Sequence, residues 1–109
     1  MKERGRMNER IARIVRRISG KFRPNRIVLF GSRARGDSRP DSDVDLLVIM
    51  PVRGSLRKKR IELQMLVHDI KVAKDILVVR PEEADIQKDI PGTIVRYAFR
   101  DGKTLYART

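Results

Sequence analysis

An α/β (α+β) fold class is predicted for this chain of 109 residues by three observations. A stripe of apolar residues at helical spacing opens the sequence. Three short apolar runs of strand length follow, each closed by Gly or Pro. Further helix-period segments lie between and after those runs.

The elements follow in order. Met7, Ile11, Ile14, Val15 and Ile18 recur at helical spacing, so a helix is expected over 6–19, with Gly20 as its stop. Arg26 to Phe30 reads as a short buried strand running directly into Gly31-Ser32. Residues 33–42 form a polar connection able to open with one helical turn. Asp43 to Met50 is the next strand, ended by Pro51. Gly54-Ser55 leads into a helix over 56–69, whose apolar side is Leu56, Leu63, Met65, Leu66 and Val67, with Ile61 flanking. Arg57-Lys58-Lys59-Arg60 places four cations on its first turns, where the helix dipole disfavours them, and hints at an anionic neighbour. A third strand is expected over 72–79, containing Asp75 and closed by Pro81. A short acidic helix over 82–86, a helix over 92–100 started by Pro91 and stopped by Gly102, and a small edge strand over 105–107 complete the chain. Phe22, Phe30 and Phe99 are assigned to the core, Tyr97 and Tyr106 to packing, and His68 to a partly buried or capping role.

Length and composition narrow the function classes. One modest core is expected, as a single domain over 1–109. With no cysteine, disulfides, thiolate metal sites and cysteine nucleophiles are excluded. No run approaches the roughly 20 apolar residues of a membrane helix, and no apolar segment follows the basic start, so a cytoplasmic location is expected. The formal charge is +12, and residues 1–39 alone carry 13 basic and three acidic residues. Such a field suits nucleotides, nucleic acid or an acidic protein. Aromatics are only 5% of the chain, which argues against a base-stacking platform.

The chemistry concentrates in Gly31-Ser32, ten further residues, and Asp43-Val44-Asp45. In a strand, Asp43 and Asp45 project from the same face. Their mutual repulsion raises at least one pKa unless a cation intervenes, and Mg²⁺ favours such carboxylates together with water and phosphate oxygens. Asp75 stands inside an apolar run. Beside the 43–50 strand it completes a three-carboxylate cluster of the kind that holds two metals about 3.5–4 Å apart. Gly31 permits close backbone approach, and the Ser32 hydroxyl with the amides after it suits phosphate oxygens. Arg33 and Arg35 are within reach of the same charge.

Gly31-Ser32-Arg33-Ala34-Arg35-Gly36 followed by Ser42-Asp43-Val44-Asp45-Leu46-Leu47-Val48 resembles the signature of the minimal nucleotidyltransferases, in the DNA polymerase beta-like superfamily. The resemblance extends over nearly the whole chain. It implies a short mixed β-sheet backed by helices. It implies that Gly31, Ser32 and Arg33 bind the triphosphate and that Asp43, Asp45 and Asp75 ligate two Mg²⁺ ions, with ATP as substrate and Asp75 near the incoming nucleophile. It further implies an antitoxin that moves AMP onto a tyrosine of a HEPN-type toxin. A chain this short offers little to grip an acceptor, so a protein partner is expected to supply that contact. Two other functions compete: a non-catalytic module that neutralises a toxin by contact, and a basic nucleic-acid-binding protein. Open sheet edges also leave room for a homo-oligomer.

Overall fold

The computed structural model describes residues 2–39 and 41–108, with side chains from residue 5 onward. Met1, Pro40 of the expected polar connection, and Thr109 lie outside the described residues. The elements are α1 (Lys2–Phe22), β1 (Arg26–Phe30), α2 (Ser32–Arg35), β2 (Val44–Ile49), α3 (Leu56–Leu66), β3 (Lys74–Val79), α4 (Pro81–Gln87), α5 (Ile94–Asp101) and β4 (Lys103–Ala107). This is the expected order, with the turn after Gly31 realised as α2.

The four strands form one mixed sheet in the order β3-β2-β1-β4. β1 pairs antiparallel with both β2 and β4, and β2 pairs parallel with β3. Parallel pairing requires a crossover, which α3 supplies. Period-two alternation splits the buried side chains between two faces. Ile27, Leu29, Val44, Leu46, Val48 and Ile76 meet Ile11, Ile14 and Ile18 of α1 and Leu63 of α3. Val28, Phe30, Leu47, Ile49 and Val79 meet Ala84 of α4 and Val95 and Ala98 of α5. No helix among the described residues is long and apolar enough to cross a membrane.

Several boundaries differ from expectation for tertiary reasons. α1 runs through Gly20 to Phe22. Ile14 and Ile18 are fully buried, and Phe22 packs against the same cluster. That burial outweighs the roughly 1 kcal/mol by which glycine disfavours a helix interior. The helix stops instead at Arg23, which has φ 46° and whose N–H donates to the Ser19 carbonyl at 3.0 Å.

α3 ends at Leu66, three residues early. Val67 and Ile70 are buried in tight turns beyond it, and the Arg17 guanidinium donates to the Leu66 carbonyl at 3.2 Å while pairing with Asp69. That pairing holds the Asp69 carboxyl down to about 2. Met65 and Ile61, expected on or beside the apolar side, are exposed. His68 is exposed, with Nδ1 at 2.8 Å from the Met65 carbonyl oxygen at the helix end, a capping contact. Thr93, not Pro91, caps α5: its hydroxyl accepts from the Arg96 N–H at 3.1 Å.

Gly102 ends α5 as expected, but the demand on it is space rather than backbone freedom. A Cβ there would lie 2.4 Å from the Ala98 carbonyl oxygen and 2.7 Å from both the Leu29 oxygen and the Val28 Cγ1. Gly102→Ala should therefore destabilise the fold by about 1–3 kcal/mol, read as a lower midpoint in urea denaturation. An unchanged midpoint would show that β4 can slide away from β1 without penalty.

Candidate active site

Strand register brings the acids together. Asp45 lies opposite Asp75 across the parallel β2–β3 pair and opposite Phe30 across the antiparallel β1–β2 pair. Neighbouring strands run about 4.8 Å apart, so the Asp45 and Asp75 side chains rise next to each other. Both share the parity of Leu47, Ile49, Leu77 and Val79, and so stand on the α4/α5 face of the sheet. Asp43 lies just before β2 rather than within it, because β2 begins at Val44, whose N–H donates to the Ala73 carbonyl at 2.9 Å. Asp43 is exposed, whereas Asp45 and Asp75 are half-buried.

Gly31 closes the site from the β1 side. It caps α2 with φ 78° and ψ −159°, a region essentially reserved for glycine. A Cβ at Gly31 would lie 2.4 Å from Asp45 Oδ2 and 3.3 Å from its Cγ. The backbone is thus pressed against the carboxylate, an arrangement only glycine permits at this conformation. Ser32 begins α2, and its hydroxyl has no hydrogen-bond partner among the described residues.

Electrostatics mark Asp45 as the strained acid. Its carboxyl is pushed above the ordinary range, first by burial and then by the charges of Asp75 and Asp43, with Arg35 acting in the opposite sense. Hard carboxylate oxygens that repel one another are the donor chemistry that suits Mg²⁺. Among the described residues, however, no group of three or more His, Cys, Asp or Glu side chains is gathered closely enough to hold a metal ion. One reason is visible. Arg60 of α3 donates through Nη2 to Asp75 Oδ1 at 2.6 Å, which directs that carboxylate toward a cation of its own chain. The neighbouring Lys74 offers no competing charge there, since its ammonium donates to the Ile70 and Val72 carbonyls at 2.9 and 3.3 Å.

Two arginines near Gly31 are engaged within the chain. Arg33, expected on the triphosphate, spans the connection to β2. Its guanidinium donates to the Ser42 carbonyl at 2.8 and 3.2 Å, to the Arg39 carbonyl at 3.2 Å and to the Ser38 hydroxyl at 3.4 Å. Arg33 thereby braces the ten residues between Ser32 and Asp43. Arg35 donates to Asp37 at 3.3 Å and to the Tyr97 hydroxyl. The Tyr97 ring stands edge-on to Phe30, with centroids 6.4 Å apart at 81°, so α5 is tied to the same end of β1.

Arg60 is the site residue that sequence reasoning only approached. The cationic run 57–60 signalled an anionic neighbour, but nothing in it singled out Asp75. Nothing in the sequence signalled the Arg35–Tyr97 contact.

Known proteins share this fold. The family profile described as a nucleotidyltransferase domain matches residues 9–101. No curated protein matches. Among solved structures, one described as a candidate nucleotidyltransferase from Sulfolobus solfataricus superposes with a TM-score of 0.67 at 24% identity, covering 98% of this chain and 86% of that one. A toxin–antitoxin complex with AMP-PNP gives 0.61 at 22% identity, covering 93% and 73%. A mutant of the toxin–antitoxin MntA-HpeT, carrying two aspartate-to-glutamate substitutions, gives 0.61 at 18% identity, covering 90% and 73%. These likenesses establish the fold, a short mixed sheet backed by helices of the DNA polymerase beta-like type. Taken with the profile match over most of its length, they show that this chain belongs to the nucleotidyltransferase domain family.

Proposed function

We propose that this protein is a Mg²⁺-dependent nucleotidyltransferase, working as one minimal domain, that moves AMP from ATP to a tyrosine hydroxyl of a HEPN-type toxin and so acts as its antitoxin. The observation that carries the reading is the register of Asp45 against Asp75, with the Gly31 backbone closed onto the Asp45 carboxylate. Support for the biological setting comes from the fold shared with two toxin–antitoxin complexes, one holding AMP-PNP.

In this reading Asp43, Asp45 and Asp75 would hold the metal, with Asp75 released from Arg60. Mg²⁺ bound there would supply charge neutralisation of the triphosphate and a lowered pKa for the attacking hydroxyl. The residues of the chain do the rest. Gly31 and the Ser32 hydroxyl seat phosphate oxygens at the start of α2. Arg33 acts indirectly, by holding the connection that delivers Asp43. The acceptor oxygen attacks the α-phosphorus in line, its proton passes to solvent water, and the bond to pyrophosphate breaks. Positioning and electrostatics carry the rate. The test incubates the protein with its toxin, labelled ATP and Mg²⁺. Label should pass to the toxin with wild type and not after Asp43→Ala plus Asp45→Ala. Absence of transfer by wild type, or equal transfer by the double variant, overturns the reading.

The Arg60–Asp75 pair favours a second reading, neutralisation by contact with the carboxylates serving structure. The same double variant separates the two: full neutralisation without transfer supports contact alone. The pair also yields a direct expectation for the first reading. Exposed ion pairs contribute about 0.2–1 kcal/mol, so Arg60→Gln should tighten Mn²⁺ binding by up to about five-fold, measured by electron paramagnetic resonance. Unchanged or weaker affinity would show that Arg60 does not compete for Asp75.

A further inference from the structure

A concavity lies away from the carboxylates, on the opposite face of the sheet. It is a groove of about 840 Å³ between α1, β4 and the segment that follows α2. Met7, Ile11, Val15, Leu29 and Leu105 give it an aliphatic floor and wall. Leu105 is 37% exposed on β4, an edge strand with no partner on its outer side among the described residues. Arg16, Arg39 and Lys103 stand at its margin, and their side chains form no ion pair among the described residues. Among the described residues, no acidic residue lines it.

We infer that this groove is a docking surface for an acidic amphipathic helix of a partner protein. Apolar area on the floor and lining cations without an ion pair among the described residues fit a segment carrying aliphatic side chains on one face and carboxylates beside them. Charge disfavours a second copy of this chain, which would bring a further +12. A single-stranded nucleic acid would satisfy the cations but find no aromatic ring to stack on among the described residues that line the groove.

The placement has a functional consequence. Gly36, Ser38 and Arg39 of the groove belong to the connection leading from Ser32 to Asp43. A helix seated there touches that connection from the α1 side while the α4/α5 face, with Asp45 and Asp75, stays open to nucleotide. The inference goes beyond the transferase reading and does not depend on it, because its readout is binding and requires neither ATP nor metal.

The probe is a fluorescein-labelled synthetic peptide of about 16 residues, Glu-rich with leucines at helical spacing, about 24 Å long when helical. A peptide of the same composition in permuted order and a labelled single-stranded oligonucleotide serve as comparisons. Fluorescence anisotropy with the full chain should show the patterned peptide binding at least about ten-fold more tightly than the permuted one. Leu105→Asp, and separately Arg16→Glu with Lys103→Glu, should each weaken it by about ten-fold or more, with unchanged circular dichroism. Amide chemical shifts of the wild-type protein, which need no variant to fold, should move at Ile11, Val15 and Leu105 and not on α5. Equal binding of the two peptides would reduce the surface to bulk charge and overturn the inference. Tighter binding of the oligonucleotide at the same residues would reassign the groove to nucleic acid and overturn it as well. So would absence of peptide binding, or shifts confined to α4 and α5.

Discussion

Asp45→Asn should reduce the proposed nucleotidyl transfer by about two to three orders of magnitude, because it removes a charge that the proposed mechanism places at the reacting centre. The same substitution should not destabilise the fold. Asp45 carries a carboxyl raised above its ordinary value of 3.8 by burial and by Asp75 and Asp43, against the partial relief of Arg35. A raised carboxyl pKa means that the unfolded chain ionises first as pH rises. Stability falls from about the unfolded value up to the folded one and then stays reduced. At neutral pH the asparagine variant, free of that penalty, should therefore melt at or above the wild-type temperature in chelator-containing buffer. Below pH 3.8 the difference should vanish. Asp69 works in the opposite sense. Its carboxyl is held down to about 2 by Arg17, so its contribution is present above its unfolded value and is lost as pH falls toward 2. Parallel activity and thermal-melting measurements at several pH values check both parts. A large loss of stability at neutral pH in Asp45→Asn would contradict the proposed repulsion.

Gly31→Ala should be the most damaging change outside the carboxylates. The backbone conformation at φ 78° and ψ −159° strains any side-chain-bearing residue by about 1–3 kcal/mol. The new Cβ also meets Asp45 Oδ2 at 2.4 Å, so the carboxylate must shift. A misplacement of about 1 Å at a reacting centre costs about 100-fold in rate. The two contributions can be separated by a double-mutant cycle. In an Asp45→Ala background the nearest Asp45 atom to the new Cβ is the existing Cβ, 3.6 Å away, an ordinary contact. Gly31→Ala should then cost only its backbone strain, measured by urea denaturation. An equal cost in both backgrounds would show that the close approach to Asp45 carries no energy.

The candidate site was legible in the sequence where its logic is local. Gly31-Ser32 after an apolar run, and Asp43 and Asp45 two residues apart, are features of adjacent positions. Asp75 was legible as an acid out of place in an apolar strand. Its pairing with Asp45 needed β3 beside β2 in one particular register, since a slip of one residue would turn it to the other face. Arg33 illustrates the limit most clearly. Its position after Ser32 suggests a phosphate ligand. The folded connection instead brings the Ser42 and Arg39 carbonyls within reach, and the guanidinium braces the chain. Arg60 illustrates the converse, a cation whose anionic partner lies 15 positions away and is brought near only by the turn of α3 back onto β3.

The sequence by itself determined the kinds and order of the elements, the glycine turn ahead of the acids and the strongly basic surface. Those follow from side-chain periodicity, backbone preference and composition, which are properties of neighbouring residues. The tertiary structure alone decided the strand order β3-β2-β1-β4, the continuation of α1 through Gly20, the pairing of Asp75 with Arg60 and the aliphatic groove on the face opposite the carboxylates. Each depends on which distant surfaces pack together, and the burial that drives that packing is a property of the whole core rather than of any segment.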